Sequence, residues 1–93
     1  MAEVRFIGAI RRVAGKSSFG VEAGTVEQLL EALRRVTGPA FREFLFEEDR
    51  LRQDVEVLVN DRNITDLDGL KTALGAFDQV TLRVNSARGL SGG

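Results

Sequence analysis

Cysteine and histidine are both absent from this 93-residue chain, and lysine occurs only twice, at Lys16 and Lys71. Without cysteine there is no thiol nucleophile and no disulfide framework, and without histidine there is no imidazole acid–base chemistry. The usual zinc sites are excluded for the same reason. We therefore expect no catalysis by the chain's own side chains and no bound cofactor or metal. The missing disulfides also favour a cytoplasmic protein.

Long apolar runs and an excess of one charge are also missing. No stretch approaches the roughly 18 apolar residues of a membrane span, and residues 1–5 do not begin a signal peptide. The net charge is −1, from 13 basic and 14 acidic residues that are mixed along the sequence. This balance argues against a nucleic-acid or membrane partner. With 43% hydrophobic residues, the chain is expected to form one domain.

Alternating apolar residues predict the first strand at residues 2–7, with Ala2, Val4 and Phe6 on one face. Gly8 ends it. One helical turn is predicted within 9–14, followed by a second strand at 19–21. We expect these two strands to be antiparallel neighbours.

The clearest helix start in the sequence is Thr25. Its hydroxyl can cap the first turn, and Gln28 lies at the spacing of a capping box. Apolar residues then recur along one helical face, namely Val26, Leu29, Leu30, Leu33 and Val36. Gly38 is expected to be the C-cap and Pro39 to end the helix. This pattern predicts the main helix, packed across a sheet.

The second half of the chain predicts a short helix and two further strands. Phe41, Phe44 and Leu45 share helical spacing, and residues 55–59 alternate as a strand before the turn at 60–61. A last strand spans 79–84. Four residues between them are expected to contribute to the core, namely Leu70, Ala73, Leu74 and Phe77. The acidic residues Glu47, Glu48 and Asp49 are interpreted as a solvated loop.

This order of elements predicts an α+β fold of the ubiquitin-like β-grasp type, a mixed sheet of four to five strands around one main helix. Residues 1–84 are expected to form the domain. Residues 85–93 are small, polar and glycine-rich, which predicts a free, flexible tail that reaches at most about 30 Å when extended. The sequence ends on Gly92-Gly93, and because glycine has no side chain, these residues can enter a narrow enzyme channel. The alternative is an inactive tail.

The chain resembles the MoaD/ThiS group of ubiquitin-like sulfur carriers, which includes the small subunit of molybdopterin synthase and the archaeal small modifier proteins. The similarity covers essentially the whole sequence, through five motifs in order: Val4–Gly15, Thr25–Leu29, Val57–Asp61, Asp78–Val80 and Gly92-Gly93. Two features depart from the family. Gly75–Asp78 replaces an Asp-Gly-Asp segment, and Arg88–Ser91 replaces a proline-rich one. The second departure fits a protein modifier at least as well as a molybdopterin-synthase subunit.

The resemblance implies a carrier and not an enzyme. A ubiquitin-activating-type partner would use ATP to adenylate Gly93, and sulfur would replace AMP to give a thiocarboxylate. The sulfur would then pass to a molybdopterin precursor, on a molybdopterin-synthase large subunit, or to a tRNA base. In the alternative function, a substrate lysine attacks the activated carbonyl and forms an isopeptide bond. A third hypothesis is a β-grasp binding module whose tail is inactive.

Partner contacts are expected on the solvent side of the sheet and in the tail. The sheet residues are Arg5, Ile7, Glu56, Leu58 and Arg83, and the tail residues are Arg88 and Leu90. Leu58 lies between charged positions and has the character of an interface anchor. The alternative is an ordinary surface leucine.

Overall fold

A computed structural model describes residues 2–8, 10–15, 18–48 and 50–84. Strand β1 (Ala2–Ile7) buries every second side chain, as its alternation predicts. Gly8 ends the strand with a φ of +87°, a left-handed conformation that glycine adopts without strain. The short helix α1 (Ile10–Ala14) follows, and β2 (Ser18–Val21) returns antiparallel to β1. The predicted pairing of these two strands is confirmed.

The main helix α2 (Val26–Val36) begins at Thr25, whose hydroxyl accepts a hydrogen bond from the Gln28 backbone N–H at 3.2 Å. The Gln28 side chain accepts from the backbone N–H of Gly24 at 2.8 Å. The predicted cap is therefore confirmed, but its second bond goes one residue further back than in a standard capping box.

The end of α2 differs from the prediction. Thr37 is the C-cap, in an extended conformation, and Gly38 is the N-cap of the next helix α3 (Pro39–Leu45), with Pro39 in its first turn. A proline disfavours helical backbone at the residue before it and is well accommodated at a helix start. Gly38-Pro39 thus begins α3 and does not cap α2.

A small hairpin of β3 (Phe46–Glu47) and β4 (Arg50–Leu51) precedes β5 (Val55–Val59). A two-residue turn with positive φ at both Asn60 and Asp61 connects β5 to β6 (Arg62–Asn63). Such turns match the twist of a hairpin, and asparagine and aspartate tolerate the left-handed conformation. Two 3-10 turns, Ile64–Asp66 and Gly69–Lys71, lead to β7 (Gln79–Val84).

The main sheet has the strand order β2-β1-β7-β5-β6. β7 lies in its centre, parallel to β1 and antiparallel to β5. This mixed five-stranded sheet around α2 is the predicted α+β architecture of a β-grasp.

The core lies between the inner face of the sheet and the helices. Val26, Leu29, Leu30 and Leu33 of α2 are buried against inward residues of β1, β5 and β7. The Phe6 ring meets the rings of Phe19 and Phe41 edge to face, with centroids 5.7 and 5.4 Å apart. Edge-to-face aromatic pairs stabilise the fold beyond the effect of burying their apolar surface.

Four predicted core positions are wrong. Val36 is 64% exposed and Phe77 98% exposed; Leu70 and Ala73 also face solvent. Val36 occupies the last position of α2, beyond the core that Leu33 reaches. Between Gly69–Lys71 and β7 the chain makes only an isolated bridge and a turn, so Leu74 alone enters the core there.

Candidate docking site

The solvent face of the sheet carries two rows of side chains that the strand register aligns. Thr81 of β7 pairs with Arg5 of β1 on one side and with Leu58 of β5 on the other. Arg83 pairs in the same way with Ile7 and Glu56. The sequence-predicted residues Arg5, Ile7, Leu58 and Arg83 therefore lie together on one face, although they come from three strands.

The rows border a depression of about 540 Å³. Ile7 is 48% exposed and Leu58 is half-buried, so the face offers apolar surface beside charged groups. The remaining lining residues are Glu3, Phe6, Arg11, Ser18, Asp61, Gln79 and Thr81. A mixed surface of this kind is typical of a protein docking site.

Arg83 and Arg5 differ in their availability to a partner. The Arg83 guanidinium donates to both carboxylate oxygens of Glu56, at 3.2 and 3.1 Å. These hydrogen bonds and the charge of Glu56 raise the pKa of Arg83, so it remains cationic. Arg5 forms no ion pair with any described residue. Among the described residues, no carboxylate therefore competes with a partner for its charge.

The sequence reasoning missed Arg11 and the acidic residues Glu3 and Asp61. Arg11 lies in the first turn of α1, shortly after the Gly8 turn, and it lines the depression although Ile10 beside it is buried in the core. Glu3 lies on β1 and Asp61 in the turn between β5 and β6, which are distant in sequence. Alternation along β1 predicts that Glu3 faces solvent, but only the pairing of strands places it near Asp61.

Val84 is the last described residue of β7, opposite Val55 and directly after the row of Ile7, Arg83 and Glu56. Residues 85–93 follow this strand in sequence. The predicted site residues of this segment lie outside the described residues, namely Arg88, Leu90, Gly92 and Gly93.

Two other kinds of site receive no support from the part of the chain that the structure covers. No group of three acidic side chains there is placed to hold a metal ion. Of the helices in the same residues, none has the length and apolarity to cross a membrane.

A family model and a relative of known sequence are both similar to this chain. The family model described as the ThiS family matches residues 4–82. A protein of Archaeoglobus fulgidus described as a putative sulfur carrier protein is 29% identical over 68 residues, which is 73% of this chain and 77% of the relative.

Two solved structures share the fold. The small archaeal modifier protein 1 of Methanosarcina acetivorans matches with a TM-score of 0.83 and 24% identity, over 90% of this chain and 91% of that one. Its counterpart from Haloferax volcanii has a TM-score of 0.76 and 27% identity, over 87% and 90% of the two chains. The ubiquitin-like β-grasp fold predicted from the sequence is confirmed.

Proposed function

Because this chain belongs to the ThiS family, we propose that it is a ubiquitin-like sulfur carrier whose terminal Gly93 carries the transferred sulfur. A ubiquitin-activating-type enzyme adenylates Gly93. The product delivers sulfur to a molybdopterin precursor on the large subunit of molybdopterin synthase, or to a tRNA base. The observation that carries the proposal is the ThiS family match over residues 4–82, which covers the ubiquitin-like sheet, together with the Gly92-Gly93 pair that follows its central strand in sequence.

The chemistry needs little from the carrier. The Gly93 carboxylate attacks the α-phosphate of ATP, which forms an acyl-adenylate and releases pyrophosphate. A hydrosulfide equivalent then attacks the acyl carbon, the bond to AMP breaks, and a thiocarboxylate remains. Neither step uses a histidine, a cysteine or a metal of the carrier, which accords with its composition. The carrier contributes the acyl group and a surface that positions it.

A second candidate function is protein modification, in which a lysine amine replaces AMP and forms an isopeptide bond with Gly93. The similarity to proteins described as archaeal modifiers favours it, as does Arg88–Ser91 before the terminal glycines. The two functions share the adenylate, and one protein can serve both. A β-grasp binding module with an inactive tail is the third alternative.

Mass spectrometry of the protein from its own host separates these functions. An intact mass raised by one oxygen-to-sulfur exchange at Gly93 identifies the carrier. For the modifier, trypsin cleaves after Arg88, so a conjugated host lysine retains the five residues Gly89–Gly93. A chain without Gly92-Gly93, expressed at the same level, is the control. An unmodified mass together with no such lysine contradicts both functions and favours the binding module.

The activating enzyme is proposed to dock on the solvent face of the sheet, with Leu58 as an apolar anchor. Leu58→Asp is expected to leave the fold intact, because the side chain lies outside the core. The kcat/KM for adenylation of Gly93 should fall about tenfold, the effect of losing one interface anchor. Leu70→Asp, at an exposed leucine of the second 3-10 turn, is the matched control. Equal rates for both variants would refute this docking face without affecting the role of Gly93.

A further inference from the structure

Phe77 is the most exposed large apolar residue of the described chain, at 98% of its surface. The others of this kind are Ile7, Val36 and Leu70. An isolated apolar side chain on a surface is common and needs no special role. What distinguishes Phe77 is the support of its backbone and its position relative to the candidate docking face.

The turn that presents Phe77 is held by hydrogen bonds on both sides. The Asp78 carboxylate accepts from the Gly75 backbone N–H at 2.7 Å and from the Asn60 amide at 2.9 Å. The Asp78 N–H donates to the Gly75 carbonyl at 3.3 Å. Asn60 in turn exchanges two hydrogen bonds with Gln79. Since the backbone is fixed before binding, an aromatic ring placed there loses little conformational entropy when a partner covers it.

The surroundings of this turn are acidic and continuous with the docking face. Glu3 donates its backbone N–H to the Asp78 carbonyl at 3.2 Å, and Asp61 adjoins Asn60. Glu3 and Asp61 both line the depression that also contains Leu58. Of the neighbouring cations, Arg62 follows Asp61 on the adjoining hairpin, and Lys71, four residues before Gly75, is paired with Glu27 at 3.0 Å. A partner that covers the depression therefore contacts carboxylates at the end formed by Glu3 and Asp61, and Phe77 lies next to that end.

We propose that Phe77 is a second anchor for the adenylating enzyme, inserted into an apolar pocket of that enzyme with a basic rim. The proposal rests on the function proposed above. The strand β7 separates the Phe77 turn from the tail by six residues, or about 20 Å. A standard interface of about 800 Å² per partner is roughly 30 Å across, so one enzyme can hold the tail and reach Phe77.

The test uses the purified adenylating enzyme of the same host and the full chain. Phe77→Ser is expected to weaken the Kd for this enzyme, and to raise the KM for adenylation, about tenfold. The kcat should change less than twofold, because the tail and its acyl group are untouched. Phe77→Tyr keeps the ring and should restore the affinity. The matched control is Val36→Ser, at another exposed apolar residue, on α2.

The outcomes separate the two proposals. A Kd for Phe77→Ser equal to that of the wild type, or an equal loss in Val36→Ser, overturns the anchor and leaves the function of Gly93 standing. If the wild-type chain binds the enzyme but forms no adenylate, the proposed function fails while the Kd still tests the anchor. The melting temperature of Phe77→Ser should match the wild type, which excludes unfolding as the cause of a weaker Kd.

Discussion

At the scale of single residues, Asp78 connects two turns that are distant in sequence. Its two carboxylate oxygens accept from Gly75 and Asn60, and these bonds hold the pKa of Asp78 below its ordinary value of 3.8. Because the folded state favours the charged carboxylate, this stability is present above the unfolded pKa. It is lost as the pH falls through the folded pKa.

Asp78→Asn is therefore expected to lower the melting temperature at pH 7, since an amide offers one acceptor oxygen where the carboxylate offers two. As the pH falls through the lowered pKa of Asp78, the wild type loses the same interaction by protonation, and the two melting temperatures should converge. Thermal melts by circular dichroism from pH 7 to pH 2 measure the difference. Asp66→Asn, at an exposed aspartate of the first 3-10 turn, is the control. If the difference in melting temperature between the wild type and Asp78→Asn stays constant with pH, the ionised carboxylate of Asp78 is not its cause.

At the scale of elements, the start and the buried face of α2 follow from residues close together in sequence, whereas its end does not. The Thr25 cap depends on a hydroxyl and a backbone N–H three residues apart, so sequence spacing was sufficient to predict it. The end of α2 depends on how the chain turns into α3, and there Gly38 was misassigned. The apolar stripe predicted four buried residues correctly, but the periodicity carries no information on where the sheet beneath the helix ends. For this reason Val36 was wrongly placed in the core.

Thr25→Ala is expected to destabilise the protein by about 1 kcal/mol, the usual effect of losing an N-cap. For a domain of this size the loss corresponds to a melting temperature lower by about 4–8 °C. Differential scanning calorimetry measures this decrease in melting temperature. Thr25→Ser keeps the hydroxyl and should lie close to the wild type. If serine and alanine destabilise equally, the cap is not the source of the effect.

At the scale of the whole molecule, β7 joins the two halves of the chain. It pairs in parallel with β1 from the N-terminal end of the sequence and antiparallel with β5, so both halves depend on its central position. The predicted domain boundary lies at its end, since Val84 is still paired with Val55. That boundary and the flexibility of residues 85–93 stay predictions.

A chain that ends at Val84 is expected to fold with the same stability as the full chain, because the described core is complete by that residue. Its melting temperature should lie within about 4 °C of the full chain, which is a free-energy difference below about 1 kcal/mol. The same truncation should abolish adenylation. A markedly lower melting temperature would place part of residues 85–93 within the folded domain.

The sequence by itself determined the elements whose signals are local. Alternation located β1, β2, β5 and β7 but not the two-residue strand β6. Helical spacing located α2, and the family motifs predicted the β-grasp fold and the carrier or modifier function. The tertiary structure alone decided which residues from different strands share the solvent face of the sheet. It also decided that Arg83 pairs with Glu56 while Arg5 has no ion pair among the described residues, and that Phe77 is exposed. The physical reason is that propensity and periodicity act between near neighbours. Register and exposure depend on partners that are distant in the chain.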